Sequence, residues 1–165
     1  MVNDTLSAVH LIQQLELEPL QGEGGYFKRI YRSSMERTKR RKLYSLIYYM
    51  IDESSFSSLH MIDSEEIWHF HKGDPAEQVR LYPDGRYERI IIGSDIEKGE
   101  VLVSVVPAGV WQGTRLLTGG SYALFGCTVL PEYQQCDYIQ GVYEDVVRDF
   151  PSFSDIIKEF CIPEE

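Results

Sequence analysis

Between residues 26 and 130, hydrophobic and polar positions follow the two-residue period of β-strands. Turn-forming residues divide this region into short segments, and Pro83-Asp84-Gly85 is the sharpest hairpin signal among them. Short strands in this arrangement predict an antiparallel sandwich or barrel, and they argue against a parallel α/β sheet. The predicted strands are 26–33, 43–51, 56–62, 66–71, 77–82, 87–92, 101–106, 111–117 and 122–130.

A helical pattern is found at the two ends of the chain. Near the start, Asp4 or Thr5 can cap a helix that continues to about Leu17. His10 lies on this helix, and we interpret it as a partly exposed residue without a catalytic role. Near the end, apolar spacing predicts short helices that are interrupted at Pro151.

Size and composition indicate one globular domain, which we assign to residues 1–165. Hydrophobic residues make up 43% of the chain and charged residues 25%, as in ordinary soluble proteins. No apolar run is long enough to span a membrane, and the first residues lack the basic and apolar parts of a secretory leader. Three cysteines without a C-x-x-C pair favour a reduced, cytoplasmic location.

The charge pattern bears on possible partners. A net charge of −10 argues against a general affinity for nucleic acid or for an anionic membrane. Eight of the sixteen basic residues nevertheless lie between Lys28 and Lys42. We interpret this run as a solvated hairpin loop, because lysine and arginine keep turns and sheet edges soluble. A contact with phosphate is the alternative.

Residues 58–73 carry the densest set of side chains that bind metals or move protons. The set consists of His60, His69, His71, Glu65 and Glu66. Because the segment is strand-like, alternation places Glu66 and Trp68 on the face opposite His69 and His71. The last two imidazoles could chelate one ion, but packing or a subunit contact is the favoured interpretation.

Two segments resemble the signature motifs of the cupin superfamily. The first contains His60, Glu66 and Gly73, and the second is VPAGVWQ at residues 106–112. Together with EGGYF, PDG and GCTVLP, they resemble one uncharacterised group, the fifth cupin family, from about residue 22 to 131. The resemblance implies an all-β-dominated double-stranded β-helix, the cupin jelly-roll barrel, with short N- and C-terminal helices. Such a barrel holds a ligand or a metal between opposed strands.

The sequence also departs from the metal-binding pattern of this superfamily. Ser58 and Gln112 stand where metal-binding cupins often carry their first and last histidines, so His60 and Glu66 remain of the usual four residues. A hydroxyl and an amide make a weak site for iron, manganese or nickel. Met61 stands where the resemblance predicts an arginine, which removes a possible anion contact. Metal and cofactor therefore stay open.

Our first hypothesis is a small-molecule-binding cupin that acts as a sugar or nucleotide-sugar epimerase or isomerase, similar to cupins that epimerise deoxysugars. His60 would be the catalytic base, and Glu66 would orient it and position the substrate. Hydrogen bonds from two polar residues and stacking on three aromatic residues would bind the ligand. These five residues are Ser58, Gln112, Trp68, Trp111 and Tyr26.

The sequence leaves two other functions open and also predicts a homodimer. The same scaffold could serve a metal-dependent oxygenase or decarboxylase, or a non-catalytic module that binds a metabolite. The aromatic strand YSLIYYMI at residues 44–51 and the open sheet edges favour a homodimer, since a symmetric pair can bury such surface.

Overall fold

The structure is a computed structural model that describes residues 7–38 and 40–162. Thirteen strands occur within these residues, and all nine predicted strands are among them. The four additional strands have only two or three residues each, which is too short for a period to register. The strands are β1 (Glu18–Pro19), β2 (Tyr26–Arg32), β3 (Glu36–Thr38), β4 (Arg41–Lys42), β5 (Ser45–Asp52), β6 (Ser57–Ile62), β7 (Glu65–Gly73), β8 (Ala76–Leu81), β9 (Tyr87–Ile92), β10 (Val103–Val106), β11 (Trp111–Leu116), β12 (Tyr122–Leu130) and β13 (Tyr138–Gln140).

Two antiparallel sheets face each other across the core. One has the strand order β1-β2-β5-β12-β7-β10, and the other has the order β13-β6-β11-β8-β9. The inward residues of both sheets form an apolar cluster that includes Tyr49, Trp68 and Phe125. This mostly β architecture confirms the predicted jelly-roll barrel.

The N-terminal helix α1 (Ala8–Leu15) is shorter than the sequence predicts. The hydroxyl of Ser7 caps it by accepting a hydrogen bond from the backbone N–H three residues later, at 3.3 Å. The predicted caps Asp4 and Thr5 lie outside the described residues. The predicted end, Leu17, follows the helix and is buried beside it against the large sheet.

The predicted C-terminal helices are confirmed as α2 (Tyr143–Asp149) and α3 (Ser154–Phe160), separated by a single 3₁₀ turn that begins at Pro151. Their apolar faces cover the outside of the five-stranded sheet. The approach is close, since a Cβ atom added at Gly113 would lie 2.7 Å from the ring of Phe160. The helices therefore close this outer face, and the interior between the sheets is left to hold the site.

The basic run forms a hairpin, as predicted. Strands β3 and β4 pair with each other, and Lys39 between them lies outside the described residues. Arg41 is less solvated than we expected, because its guanidinium group donates to the hydroxyl of Ser64 at 2.8 Å and to the carboxylate of Asp137 at 2.5 Å. The hairpin is thus fastened to the barrel. Among the described residues, no helix is both long and apolar enough to cross a membrane.

Candidate functional site

A cavity of about 360 Å³ lies at one end of the barrel interior. Its walls are largely apolar and aromatic, and both sheets contribute to them. Seven polar residues also line it, namely Glu23, Arg29, Ser45, His60, Glu66, Tyr133 and Gln135. Concave, mostly apolar cavities with a few convergent polar groups are typical of small-molecule sites.

His60 enters the cavity from β6 with its protonation pattern set by the backbone. Its Nδ1 lies 2.7 Å from the carbonyl oxygen of Ser58. A carbonyl oxygen can only accept, so Nδ1 carries the hydrogen and the neutral ring has a free lone pair on Nε2. That Nε2 lies 3.9 Å from a carboxylate oxygen of Glu23, which is longer than a hydrogen bond. Tyr138 stacks on the imidazole at 5.3 Å between ring centroids and fixes its plane.

Glu66 enters the same cavity from β7, on the opposite sheet. It is only 8% exposed, and burial raises the pKa of its carboxyl group to about 7. The negative charge of Glu23 acts in the same direction, while His60 and the hydrogen bond from Gln112 oppose the rise. A substantial fraction of Glu66 is therefore protonated at neutral pH.

Gln112 lies behind Glu66 and is completely buried. Its Nε2 donates to Oε2 of Glu66 at 2.6 Å, and its Oε1 accepts from the indole N–H of Trp68 at 3.2 Å. Since an indole N–H can only donate, the amide oxygen must face Trp68 and the NH₂ group must face Glu66. His60, Glu66 and Gln112 thus converge within the barrel.

Glu23 is a site residue that the sequence interpretation missed. It lies in the glycine-rich bend between β1 and β2, where Gly24 and Gly25 have φ angles of 100° and 71°. A Cβ atom at Gly25 would lie 2.7 Å from the carbonyl oxygen of Met50, so the bend needs glycine to lie this close to β5. The carboxylate accepts a hydrogen bond from Ser57 at 2.8 Å. The sequence did contain one signal for this role, because Glu23 is a charged residue placed among the glycines of a tight bend.

Ser58 does not face the cavity, contrary to our prediction. Counting back two residues from His60 places it on the inner face, but the pairing of β6 with β11 shifts register between Ser57 and His60. This bulge turns Ser57 inward and Ser58 away. The hydroxyl of Ser58 instead donates to the carbonyl of Gly22 at 3.3 Å and accepts from Gln140 at 2.9 Å.

Of the three aromatic residues predicted to contact a ligand, only Trp68 lines the cavity. Tyr26 packs against the cluster beneath α1, and Trp111 packs against the C-terminal helices. The structure therefore does not bring Tyr26 and Trp111 to the site. Both lie on strands whose alternation turns these positions to the outer faces of the sheets.

His69 and His71 face outward, on the side of β7 opposite Glu66 and Trp68, as alternation predicts. His71 contacts the ring of Tyr48 edge-on at 6.1 Å between centroids. Partial burial, together with the charge of His69, lowers the pKa of His71. The pair belongs to the outer face of the sheet and is separated from the cavity by the strand itself.

A family model described as cupin superfamily (DUF985) matches residues 9–139. This chain belongs to that family. An uncharacterised protein of Saccharomyces cerevisiae, YML079W, is 33% identical to this cupin over an alignment of 109 positions that covers 58% of this chain. The match covers 54% of the yeast protein, so the chain spans about half the length of that relative.

Solved structures support the same assignment. A hypothetical protein from Leishmania major is 27% identical, with a TM-score of 0.89 over 95% of this chain and 99% of its own. A Shewanella oneidensis protein is 28% identical, with a TM-score of 0.90 over 96% of this chain and 99% of its own. An oxalate decarboxylase of Bacillus subtilis has a TM-score of 0.58 at 14% identity, over 92% of this chain and 39% of its own, and shows the fold alone.

The residues of this cupin do not fit a resident transition metal at the superfamily position. Gln112 presents its NH₂ group, which has no lone pair to give, toward Glu66. Ser58 is turned away by the bulge in β6. Within residues 7–38 and 40–162, no group of three or more histidine, cysteine, aspartate or glutamate side chains could hold an ion. One imidazole and one shared carboxylate are too few for such a centre, and the carboxylate of Glu23 does not complete a group of three ligands with them among the described residues.

Proposed function

We propose that this cupin binds a small polyhydroxy compound and transfers a proton on it, as an isomerase or epimerase of a sugar or nucleotide-sugar. One observation carries the proposal. The hydrogen bond from Nδ1 of His60 to the Ser58 carbonyl places the hydrogen of the neutral ring on Nδ1, so the lone pair of Nε2 is available at the cavity, where a general base is needed. Glu66 lines the same cavity from the other sheet.

The two groups suit proton abstraction next to a carbonyl. Nε2 of His60 takes the proton from the carbon, and the electron pair of that C–H bond moves toward the carbonyl oxygen. A protonated Glu66 delivers its proton to this oxygen, which gives a neutral enediol, an imidazolium and a carboxylate. The imidazolium then returns its proton to carbon, and the carboxylate of Glu66 takes back the proton of an enediol hydroxyl as the carbonyl re-forms, which restores both side chains. Positioned acids and bases of this kind contribute roughly 10²–10⁴-fold each.

The cavity walls favour a substrate with a flat or ring-shaped part and an anionic part. Trp68 and Tyr49 offer aromatic surface, and the carboxylate of Glu23 can accept hydrogen bonds from hydroxyl groups. Arg29 is exposed and lines the cavity, and it makes no ion pair with any residue that the structure describes. A free guanidinium at the opening suits a carboxylate or a phosphate.

Hydrogen exchange at carbon tests the proposed reaction. The protein is incubated in D₂O with a panel of sugar phosphates, sugar acids and nucleotide-sugars, and each product is analysed by mass spectrometry. We expect deuterium in at least one compound, with incorporation reduced at least about 100-fold by His60→Ala. The control is His69→Ala, a histidine on the outer face of β7, which should leave exchange unchanged. Saturable binding of a compound without deuterium exchange would contradict the proposed reaction and would indicate a non-catalytic binding module.

We also propose that two copies form a cytoplasmic homodimer through the outer face of the large sheet. Val103 and Val105 on the edge strand β10 are 49% and 41% exposed, and their exposure leaves apolar surface uncovered in the single chain. Light scattering should give twice the mass of the 19.1 kDa chain, and Val105→Lys should return the monomer mass. A monomeric wild-type protein would refute this arrangement.

A further inference from the structure

Trp68, Gln112 and Glu66 form a chain of two hydrogen bonds in which each donor and acceptor is fixed. The indole N–H of Trp68 donates to Oε1 of Gln112, and the opposite end of the same amide donates to Oε2 of Glu66. Trp68 is 1% exposed and Gln112 is fully buried, so water cannot substitute for either partner. Reversing the amide would set two N–H groups against each other, which a buried site does not tolerate.

This direction decides which oxygen of Glu66 can carry a proton. Because Oε2 accepts from the amide of Gln112 at 2.6 Å, and the carbonyl-type oxygen of a protonated carboxyl group is its stronger acceptor, this contact favours a proton on Oε1. Oε1 is therefore the oxygen that can donate to a ligand. The amide has a second consequence, because its NH₂ group stands where a metal-binding cupin would offer a lone pair.

We propose that Trp68 and Gln112 are positioning residues that make Glu66 a proton donor through Oε1 and that keep a metal ion from binding between His60 and Glu66. This inference rests on the proposed function only for the identity of the proton acceptor, which is an oxygen of the substrate. The proton passes from Oε1 to that oxygen, and the electron pair of the broken O–H bond stays on the carboxylate. No oxidant, reductant or metal takes part.

Metal binding tests the proposal without any turnover. Gln112→His replaces the donor amide by an imidazole and should convert the site into one with three ligands. We expect this variant to bind Co²⁺ at least about tenfold more tightly than the wild type, with visible absorption of the bound ion. Adding His60→Ala to the variant should abolish the gain. Tight, stoichiometric Co²⁺ binding by the wild type that His60→Ala removes would overturn the proposal.

The wild-type protein offers a second readout that does not depend on metal binding, and its first measurement needs no variant. The side-chain NH₂ resonances of Gln112 should move in ¹⁵N NMR spectra as Glu66 titrates, and Glu66→Gln should remove that movement. In Trp68→Phe the amide is free to reverse when Glu66 takes up a proton, so the same resonances should move further with pH than in the wild type, whereas Tyr49→Phe should leave the movement unchanged. Gln112 resonances that ignore Glu66 in the wild type would contradict the hydrogen-bond direction. Neither result requires a known substrate, so failure here is distinct from failure of the proposed reaction.

Discussion

The barrel interior has two polar regions that differ in what their side chains face. In the packed region, Arg80 donates to Oε1 of Gln78 at 2.9 Å and also to the hydroxyl of Ser104, and Ser104 donates to the same amide oxygen at 2.6 Å. The amide of Gln78 donates to Thr114 at 3.2 Å. These side chains bind one another, and Arg80 is only 5% exposed.

In the open region, the polar side chains are held from behind and face a cavity in front. His60 is held by a backbone carbonyl, Glu66 by Gln112, and Glu23 by Ser57. Each keeps an atom directed at the cavity. Burial alone therefore does not distinguish a structural polar group from a functional one. The two regions differ in their hydrogen-bond partners. In the packed region the polar side chains bond to one another, whereas in the open region each polar side chain keeps an atom that can bond to a ligand.

The largest effect that this comparison predicts is on stability, in the packed region. Arg80→Met should lower the free energy of unfolding by about 3 kcal/mol, because it removes the charged, buried donor to Gln78 and Ser104. Arg86→Met is the matched control. Arg86 is exposed, stacks on Tyr82 at 3.9 Å, and should cost less than about 1 kcal/mol when replaced. Urea unfolding measures both, and equal losses would remove the distinction between the two arginines.

The next effect is a pH dependence that arises in the open region. The pKa of Glu66 is about 7 in the folded protein against an ordinary value of 4.5. Between these values the unfolded chain loses the proton and the folded chain keeps it, so stability falls as pH rises from 4.5 to 7 and then levels off. The loss should reach about 3 kcal/mol.

Glu66→Gln should remove this fall, and the variant should therefore be more stable than the wild type at pH 8. Glu65→Gln, a change at the exposed neighbouring position, is the control and should retain the wild-type slope. Urea titrations at pH 4.5, 6, 7 and 8 give the comparison. A wild-type protein whose stability stays level across this range would show that Glu66 ionises without cost.

The smallest effect concerns the opening of the cavity. Arg29→Gln should weaken an anionic ligand about tenfold, or about 1.4 kcal/mol, and should leave a neutral analogue unaffected. Lys28 provides the control, since it lies next to Arg29 on the other face of β2 and pairs with Glu16. Calorimetric titration at two salt concentrations separates the two variants. Equal weakening by Lys28→Gln would indicate general electrostatic attraction.

The sequence predicts the strands and the orientation of their side chains better than it predicts the lining of the cavity. Alternation located every strand of more than three residues, and it placed Glu66 opposite His69 correctly. The resemblance of two segments to cupin motifs predicted that His60, Glu66 and Gln112 meet, and Gln112 does bond to Glu66 although 46 positions separate them. The strand predictions succeed because strand period is a local property of the chain, whereas the meeting of distant residues followed only from the resemblance.

Other features depend on contacts that the sequence does not display. The bulge in β6 exchanges the roles of Ser57 and Ser58, and a pattern with a fixed period of two cannot register one extra residue. Glu23 and Tyr133 reach the cavity from a bend and a loop that are distant in sequence. Only the folded barrel brings these two residues to the cavity, so no local sequence pattern indicates them.

The most direct test of the account is ligand-induced stabilisation measured on wild-type protein and His60→Ala in parallel. A thermal-shift screen of polyhydroxy and anionic metabolites should identify a compound that, at a hundred times its dissociation constant, adds about 2.7 kcal/mol to the wild type. We predict that His60→Ala loses most of this gain and that His69→Ala keeps it. Ligands that stabilise wild type and His60→Ala equally would contradict the claim that the cavity beside His60 and Glu66 is the functional site.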